Sequence, residues 1–506
     1  MTDRTPGTRA VRVARWAVPV SVTALAALTR FAGLGGPDEL IFDETYYVKD
    51  AWTLWQLGYE GTWGDDQNPA FEAGERTGFS DDGSFVAHPP LGKWIIGLGM
   101  AIAGSDPFGW RAATAAVGTL LVALVYIVAR RMTGSVALAG VAGTLMAIDP
   151  LAVSMSRIAL LDTQLSFLVL LAFWFALLDR RRTVAAIHAG TARDPVAGPV
   201  IWRRPWIIAA GLTLGLASAV KWSGLYALAV LGVTIVIADA IDRRRAGVDR
   251  WAESAIGRQG PASFLLLVPP AVVTYLVSWT GWLVTSGGYD RQSAANPLVA
   301  LWNYHEGVFA YHRSVTSGHT YASPALEWIP MLNPTLMYRE AGEGGSVGLM
   351  AALPNPLLWW VGMIVLAVLA ARIVLAALGR ARVTGSECLV GAGILATYAP
   401  WLLLPGRTMF TFYAITALPF VILAVVLTAQ RIARAPAPTL LADPTLDEVR
   451  AEQERVRGIG AVRRTAVRVT IGLIAAVGLF FLPFGTGWLE PEALYRAHLW
   501  LPSWFL

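Results

Sequence analysis

The chain has 506 residues, of which 55% are hydrophobic and only 15% charged, with 21 tryptophans. Soluble domains carry about a quarter of their residues as charges, so this composition excludes an ordinary soluble globular protein and points to a membrane one. Forty Lys and Arg against 35 Asp and Glu leave a net charge of +5, an excess that in this class reports loop topology rather than a nucleic-acid partner, and the single cysteine, Cys388, excludes an intramolecular disulfide or a cysteine-cluster metal site.

Arg9, Arg12 and Arg15 precede the first apolar run. The pattern is that of a signal peptide, but no small-x-small cleavage site precedes Asp43, so the expectation is an uncleaved first span. A bilayer crossing takes about 20 apolar residues. Such runs lie near 16–35, 110–129, 134–150, 159–178, 206–220, 224–240, 263–283, 356–373, 385–404, 409–428 and 468–485, about eleven in all, which predicts an all-α polytopic membrane protein.

Basic clusters fall on alternate connections: Arg130-Arg131, Arg180 to Arg182 with Arg203-Arg204, Arg243 to Arg245, Arg372 with Arg380 and Arg382, and the stretch from Arg431 to Arg468. The positive-inside rule then assigns a cytoplasmic N-terminus (1–15), a membrane domain (16–430) with extracytoplasmic loops at 37–109 and 284–355, and a cytoplasmic connector (431–467). The last span and an extracytoplasmic tail (468–506) follow. The expected location is the cell membrane. Within the first outer loop, the run from Pro90 to Gly104 is too short to cross, and Trp52, Trp55 and Tyr59 have the spacing of an interface-parallel helix. This loop is expected to rest on the membrane.

Two adjacent carboxylates, Asp43 and Glu44, stand just beyond the first span. At the water interface an Asp can remain ionised yet be partly desolvated, the condition for a general base. Arg30, Arg111, Arg157, Asp162, Lys221 and Arg407 all fall at the outer level of spans. Each alone serves as a snorkelling anchor, whereas together they form a largely positive ring around Asp43 and Glu44. His88 and Lys93 flank a Pro-Pro turn on the same side. Arg binds phosphate bidentately and Lys binds it as a point charge, so a basic ring facing the outer leaflet suits a lipid phosphate.

The stretches Phe42-Asp43-Glu44-Thr45-Tyr46-Tyr47, His88-Pro89-Pro90-Leu91-Gly92-Lys93, Arg157 to Asp162, Lys221-Trp222-Ser223-Gly224 and Arg407-Thr408-Met409-Phe410, in this order and spacing, resemble the protein O-mannosyltransferases of GT-C fold. The resemblance runs from about residue 16 to the end. It implies a dolichyl- or polyprenyl-phosphate mannose donor and Ser/Thr hydroxyls of secreted proteins as acceptors. The family's Asp-Glu motif maps onto Asp43 and Glu44, and its essential arginines of the first two spans onto Arg30 and Arg111. The 284–355 loop is far too short for the large soluble domain of eukaryotic members, so the chain is similar to a bacterial, actinobacterial version.

The chemistry fits that resemblance. Mannosyl transfer from a phosphate with inversion needs a base for the acceptor hydroxyl, but no acid, because phosphate leaves as a stable anion that cations can stabilise. Asp43 is the expected base and Glu44 an acceptor-side or structural partner. Arg30, His88, Lys93, Arg111, Lys221 and Arg407 are candidates for phosphate binding or site ordering, and Arg157 with Asp162 equally for a structural pair. No metal constellation is visible, and the sequence leaves a divalent-metal requirement and a translocon partner open. Two rival readings exist: a polyprenyl-phosphate-sugar glycosyltransferase acting on a glycolipid or polysaccharide, and a transporter. The latter would place its charges at mid-membrane in repeated halves, which this chain lacks.

Overall fold

The computed structural model describes residues 6–316, 318–434, 436, 439 and 445–504, with side chains from residue 13 onward. The first five residues, the side chains of Arg9 and Arg12 and most of 435–444 in the 431–467 connector lie outside the described residues.

The architecture is mostly helical. The chain begins with α1 (Pro6–Phe31), followed by α2 (Glu44–Leu57), a small hairpin of β1 (Gly61–Trp63) and β2 (Phe79–Gly83), and α3 (Leu91–Ala103). With 13 residues α3 spans about 20 Å, short of a bilayer crossing. Next come α4 (Pro107–Thr133), α5 (Val136–Ala147), α6 (Pro150–Arg157), α7 (Asp162–Thr191), α8 (Pro205–Val220), α9 (Ser223–Arg245) and α10 (Trp251–Ser278). The segment 284–355 holds α11 (Pro297–Ser314) and a hairpin of β3 (Thr335–Ala341) and β4 (Val347–Ala352). Four further helices follow, α12 (Pro356–Ala377), α13 (Gly385–Thr397), α14 (Leu418–Ala433) and α15 (Leu446–Phe480), before two short ones at Pro483–Thr486 and Glu492–His498.

Among the described residues, α4, α7, α9, α10 and α12 are long and apolar enough to cross a membrane, and the bent pair α5–α6 makes a sixth candidate. Helices α3, α8, α13 and α14 are apolar but shorter. The chain is a multi-pass membrane protein. Its helices approach closely where the sequence supplies glycine: a Cβ on Gly211 or Gly215 of α8 would fall 2.2 Å from the carbonyl oxygen of Leu267 or Ala271 on α10.

The expected elements differ from the observed ones at identifiable places. The run 134–150 is not one straight span: α5 stops at Ala147 and α6 leaves at 57°, because Asp149 caps the Ala152 amide at 3.2 Å and Pro150 takes the first helical position, where its missing N–H costs nothing. Helix α13 stops at Thr397, and the run at 409 opens with a 3-10 segment, Thr411–Thr416, before α14. The boundary placed between connector and last span at 467/468 falls inside the 35-residue helix α15, which starts from a Thr445/Glu448 capping box and meets no proline. The two hairpins depart from an all-α reading. In β3 the buried Thr335 and Met337 alternate with less buried Leu336 and Tyr338, the two-residue period of a strand, and Gly344 and Gly345, at φ 65° and 77°, permit the turn before β4.

Candidate active site

Glu44 begins α2 and is fully buried. Its carboxylate takes both prongs of Arg111, from Nε at 2.9 Å and Nη2 at 2.8 Å, and the backbone amides of Ala159 at 2.7 Å and Ile41 at 3.1 Å. Arg111 donates further to the carbonyls of Pro37 at 2.6 Å and Glu39 at 2.8 Å. One buried pair therefore fixes the chain before Asp43 to the chain before Asp162. Every oxygen of Glu44 is occupied by a donor from the protein, which leaves it the structural half of its two expected roles.

Arg30 and Arg157 lie apart from this. Arg30 donates to the carbonyls of Ala147 and Met146, both at 3.2 Å, at the end of α5. Arg157 donates to those of Arg30 at 3.1 Å, Ala32 at 2.8 Å and Gly33 at 2.9 Å, at the end of α1. Each guanidinium thus satisfies carbonyls orphaned at a helix C-terminus and complements its dipole. Arg157 and Asp162 do not pair with each other.

Asp162 pairs instead with Lys221, 2.7 Å apart and nearly buried. Asp162 opens α7 and Lys221 follows the last turn of α8, so the pair joins two helix ends, and the ammonium also sits 5.6 Å and 5.3 Å from the ring centres of Phe412 and Tyr413. Half-buried Asp43 carries its carboxyl close enough to feel both charges. Burial pushes that carboxyl up to about 6, with Lys221 pulling down and Asp162 pushing up. The Asp43 side chain does not cap α2, and among the described residues no cation forms an ion pair with it. Phe42 just before it has φ 52°, a left-handed conformation that a bulky residue adopts only when its surroundings impose it. The constraint is visible: the Phe42 ring meets Phe410 and Phe412 edge-on, with centroids at 6.1 and 5.6 Å.

A cavity of about 450 Å³ has walls that include His88, Asp162, Lys221, His312, Arg313 and Arg407; Asp43 is not in its wall but lies within electrostatic reach of two residues that are, Lys221 and Asp162. Leu165 and Val169 of α7 and Ala396 of α13 supply apolar wall. Lys93 is not among the lining residues: it is buried in an ion pair with Glu60 at 2.5 Å and holds the His88 carbonyl at 3.2 Å. The structure thus brings Lys221, Asp162, His88 and Arg407 to one cavity, with Asp43 within electrostatic reach of Lys221 and Asp162, buries Glu44 and Arg111 in a pair of their own, and leaves Arg30, Arg157 and Lys93 in other bonds. Among the described residues no three His, Cys, Asp or Glu side chains group as metal ligands.

His312 and Arg313 were missed from sequence. Their signal is present in the sequence, since a His-Arg pair within the 284–355 loop, expected outside, runs against the positive-inside trend.

Known proteins resemble this chain in sequence and in fold. The family model described as dolichyl-phosphate-mannose-protein mannosyltransferase matches residues 20–244, and that of the C-terminal four-transmembrane region of protein O-mannosyltransferase matches residues 297–504. A polyprenol-phosphate-mannose–protein mannosyltransferase of Mycobacterium tuberculosis is 29% identical over 97% of this chain and 92% of its own length. One from Corynebacterium glutamicum is 28% identical over 97% and 93%. The protein O-mannosyltransferase Pmt1–Pmt2 complex of S. cerevisiae, solved bound to the sugar donor, superposes with a TM-score of 0.71 at 13% identity, covering 97% of this chain and 92% of that one. With two family models spanning most of its length and the same fold as the yeast enzyme, the chain belongs to the protein O-mannosyltransferase family.

Proposed function

We propose that this protein transfers mannose from polyprenyl-phosphate mannose to Ser/Thr hydroxyls of secreted or membrane proteins, with inversion, at the extracytoplasmic face of the cell membrane. The observation that carries the reading is the half-buried, unpaired Asp43 carboxyl held beside Lys221 at a cation-lined cavity. Asp43 takes the proton of the acceptor hydroxyl as its oxygen bonds to the anomeric carbon. The bond from that carbon to the phosphate breaks on the opposite face, and the phosphate departs as an anion. Lys221, Arg407 and Arg313 face that growing charge, where preorganised cations in a partly dry site act most strongly. Glu44 and Arg111 hold the base in place.

The same reading carries about eleven crossings, the N-terminus inside and the C-terminus outside, with the domain limits 1–15, 16–430, 431–467 and 468–506. Because α15 is continuous across the last of those limits, the connector and the final crossing share one helix. The deciding experiment is a membrane assay with radiolabelled polyprenyl-phosphate mannose and a Ser/Thr/Pro-rich peptide. Label on the peptide, lost when its Ser and Thr are replaced by Ala, supports the reading; label only on glycolipid or polysaccharide contradicts it.

A further inference from the structure

The cavity wall holds a histidine whose hydrogen bonds go to a backbone carbonyl and an arginine rather than to a carboxylate. His312 lies in the last turn of α11, half-buried, with its ring 5.6 Å from that of His88 at 31° and 5.7 Å from that of Trp222. Both of its nitrogens are committed. Nε2 lies 3.0 Å from the carbonyl oxygen of Ala87, an acceptor, so Nε2 carries the proton and donates. Nδ1 lies 3.3 Å from Nη2 of Arg407, a donor, so Nδ1 carries the lone pair. These two contacts fix the tautomer without reference to any other group.

Arg407 has little else to hold it. Among the described residues it has no carboxylate partner, its buried Nε has no hydrogen-bond partner, and its guanidinium otherwise lies 5.9 Å from the centre of the Trp401 ring. An arginine of this length on the 398–410 connection between α13 and the 3-10 segment would sample many rotamers, and each one lost on binding an anion weakens that binding. We propose that His312 is a positioning residue: anchored to the Ala87 carbonyl through Nε2–H, it accepts from Arg407 through Nδ1 and aims the remaining guanidinium donors into the cavity at the donor phosphate.

The choice of histidine follows from the charge. A carboxylate at 312 would hold Arg407 more tightly but would cancel the positive charge needed for the phosphate, whereas a neutral imidazole orients the cation and leaves its charge intact. The surroundings keep the ring neutral. Burial lowers the imidazole to about 4, helped by the positive charges of Arg407 and Lys221 and opposed only by the Ala87 hydrogen bond.

The proposal rests on Arg407 contacting the phosphate, and the test separates the two. In the full-length protein in membranes, His312→Gln keeps a donor at the Nε2 position but removes the acceptor facing Arg407. His312→Asn places an amide oxygen at the Nδ1 position and gives up the Ala87 contact. A hydrogen bond to a charged group contributes on the order of tenfold in an equilibrium. His312→Gln is therefore expected to raise KM for polyprenyl-phosphate mannose about tenfold with KM for the peptide unmoved, and His312→Asn to recover most of that loss. In an Arg407→Met background, His312→Gln should have no further effect, because the group it positions is gone. Equal losses from Gln and Asn, or a His312→Gln effect that multiplies with Arg407→Met, would overturn the positioning role while leaving the phosphate reading of Arg407 standing. Normal donor kinetics in Arg407→Met alone would overturn both.

Discussion

Glu44 and Arg111 form a two-pronged ion pair of 2.9 and 2.8 Å, and neither side chain reaches solvent. Removing one partner strands a buried charge, at a cost of roughly 3–5 kcal/mol. Arg111→Met should therefore lower the thermal midpoint and the folded yield sharply, and Glu44→Gln should do so less, because the amide still offers an oxygen. The double variant should be more stable than Arg111→Met alone. Thermal scanning of the purified proteins checks the order, and a fully stable but inactive Arg111→Met would move this residue from support to chemistry.

The Asp43 carboxyl, pushed up to about 6, must be ionised to accept a proton. The sign follows directly: kcat/KM should fall about tenfold per pH unit below about 6 and level off above it. Lys221 holds this group down, so Lys221→Met should move the acid limb to higher pH as well as lowering turnover at saturating donor. A pH profile whose limb stays in place in that variant would uncouple the two residues.

The cavity walls carry Lys221, Arg313 and Arg407 against the single carboxylate of Asp162. A sugar phosphodiester bears one negative charge, while the released polyprenyl phosphate bears nearly two above its second pKa of about 6. The walls thus complement the product better than the donor, and polyprenyl phosphate should inhibit competitively with an affinity that weakens as pH falls through about 6. Measured by displacement in Asp43→Asn, which removes the competing titration, a pH-independent affinity would argue that these cations do not meet the phosphate.

Sidedness is testable without activity. Single cysteines in a Cys388→Ala background should react with an impermeant thiol reagent in intact cells at Gly64, next to β1, and at Ser346, before β4, and stay protected until lysis at Ala192, after α7, and at Ala442. The reverse pattern would put Asp43 on the cytoplasmic side.

Sequence carried the motifs and the family further than the roles of individual residues. Asp43, Asp162, Lys221 and Arg407 are far apart in the chain, yet each lies near the end of an apolar run that the charge pattern assigns to one face, which is why they are legible as one group. Arg30 and Arg157 satisfy the same pattern and end on helix carbonyls instead, since position along a run does not reveal whether a guanidinium meets an anion or the end of a neighbouring helix. The capped bend at Asp149-Pro150 was readable from its own residues but lay inside a hydrophobic run that masked it. His312 acts through contacts to Ala87 and Arg407, 225 and 95 residues away, which no local pattern encodes.

The central claim is that Asp43 takes the acceptor's proton in mannosyl transfer. Asp43→Asn keeps the size of the side chain and removes the base, so with radiolabelled polyprenyl-phosphate mannose and a Ser/Thr/Pro-rich peptide the purified variant should bind donor as the parent does and transfer about 10²- to 10⁴-fold more slowly. Turnover above about a tenth of the parent rate, well short of the loss that removing a general base brings, would contradict the account.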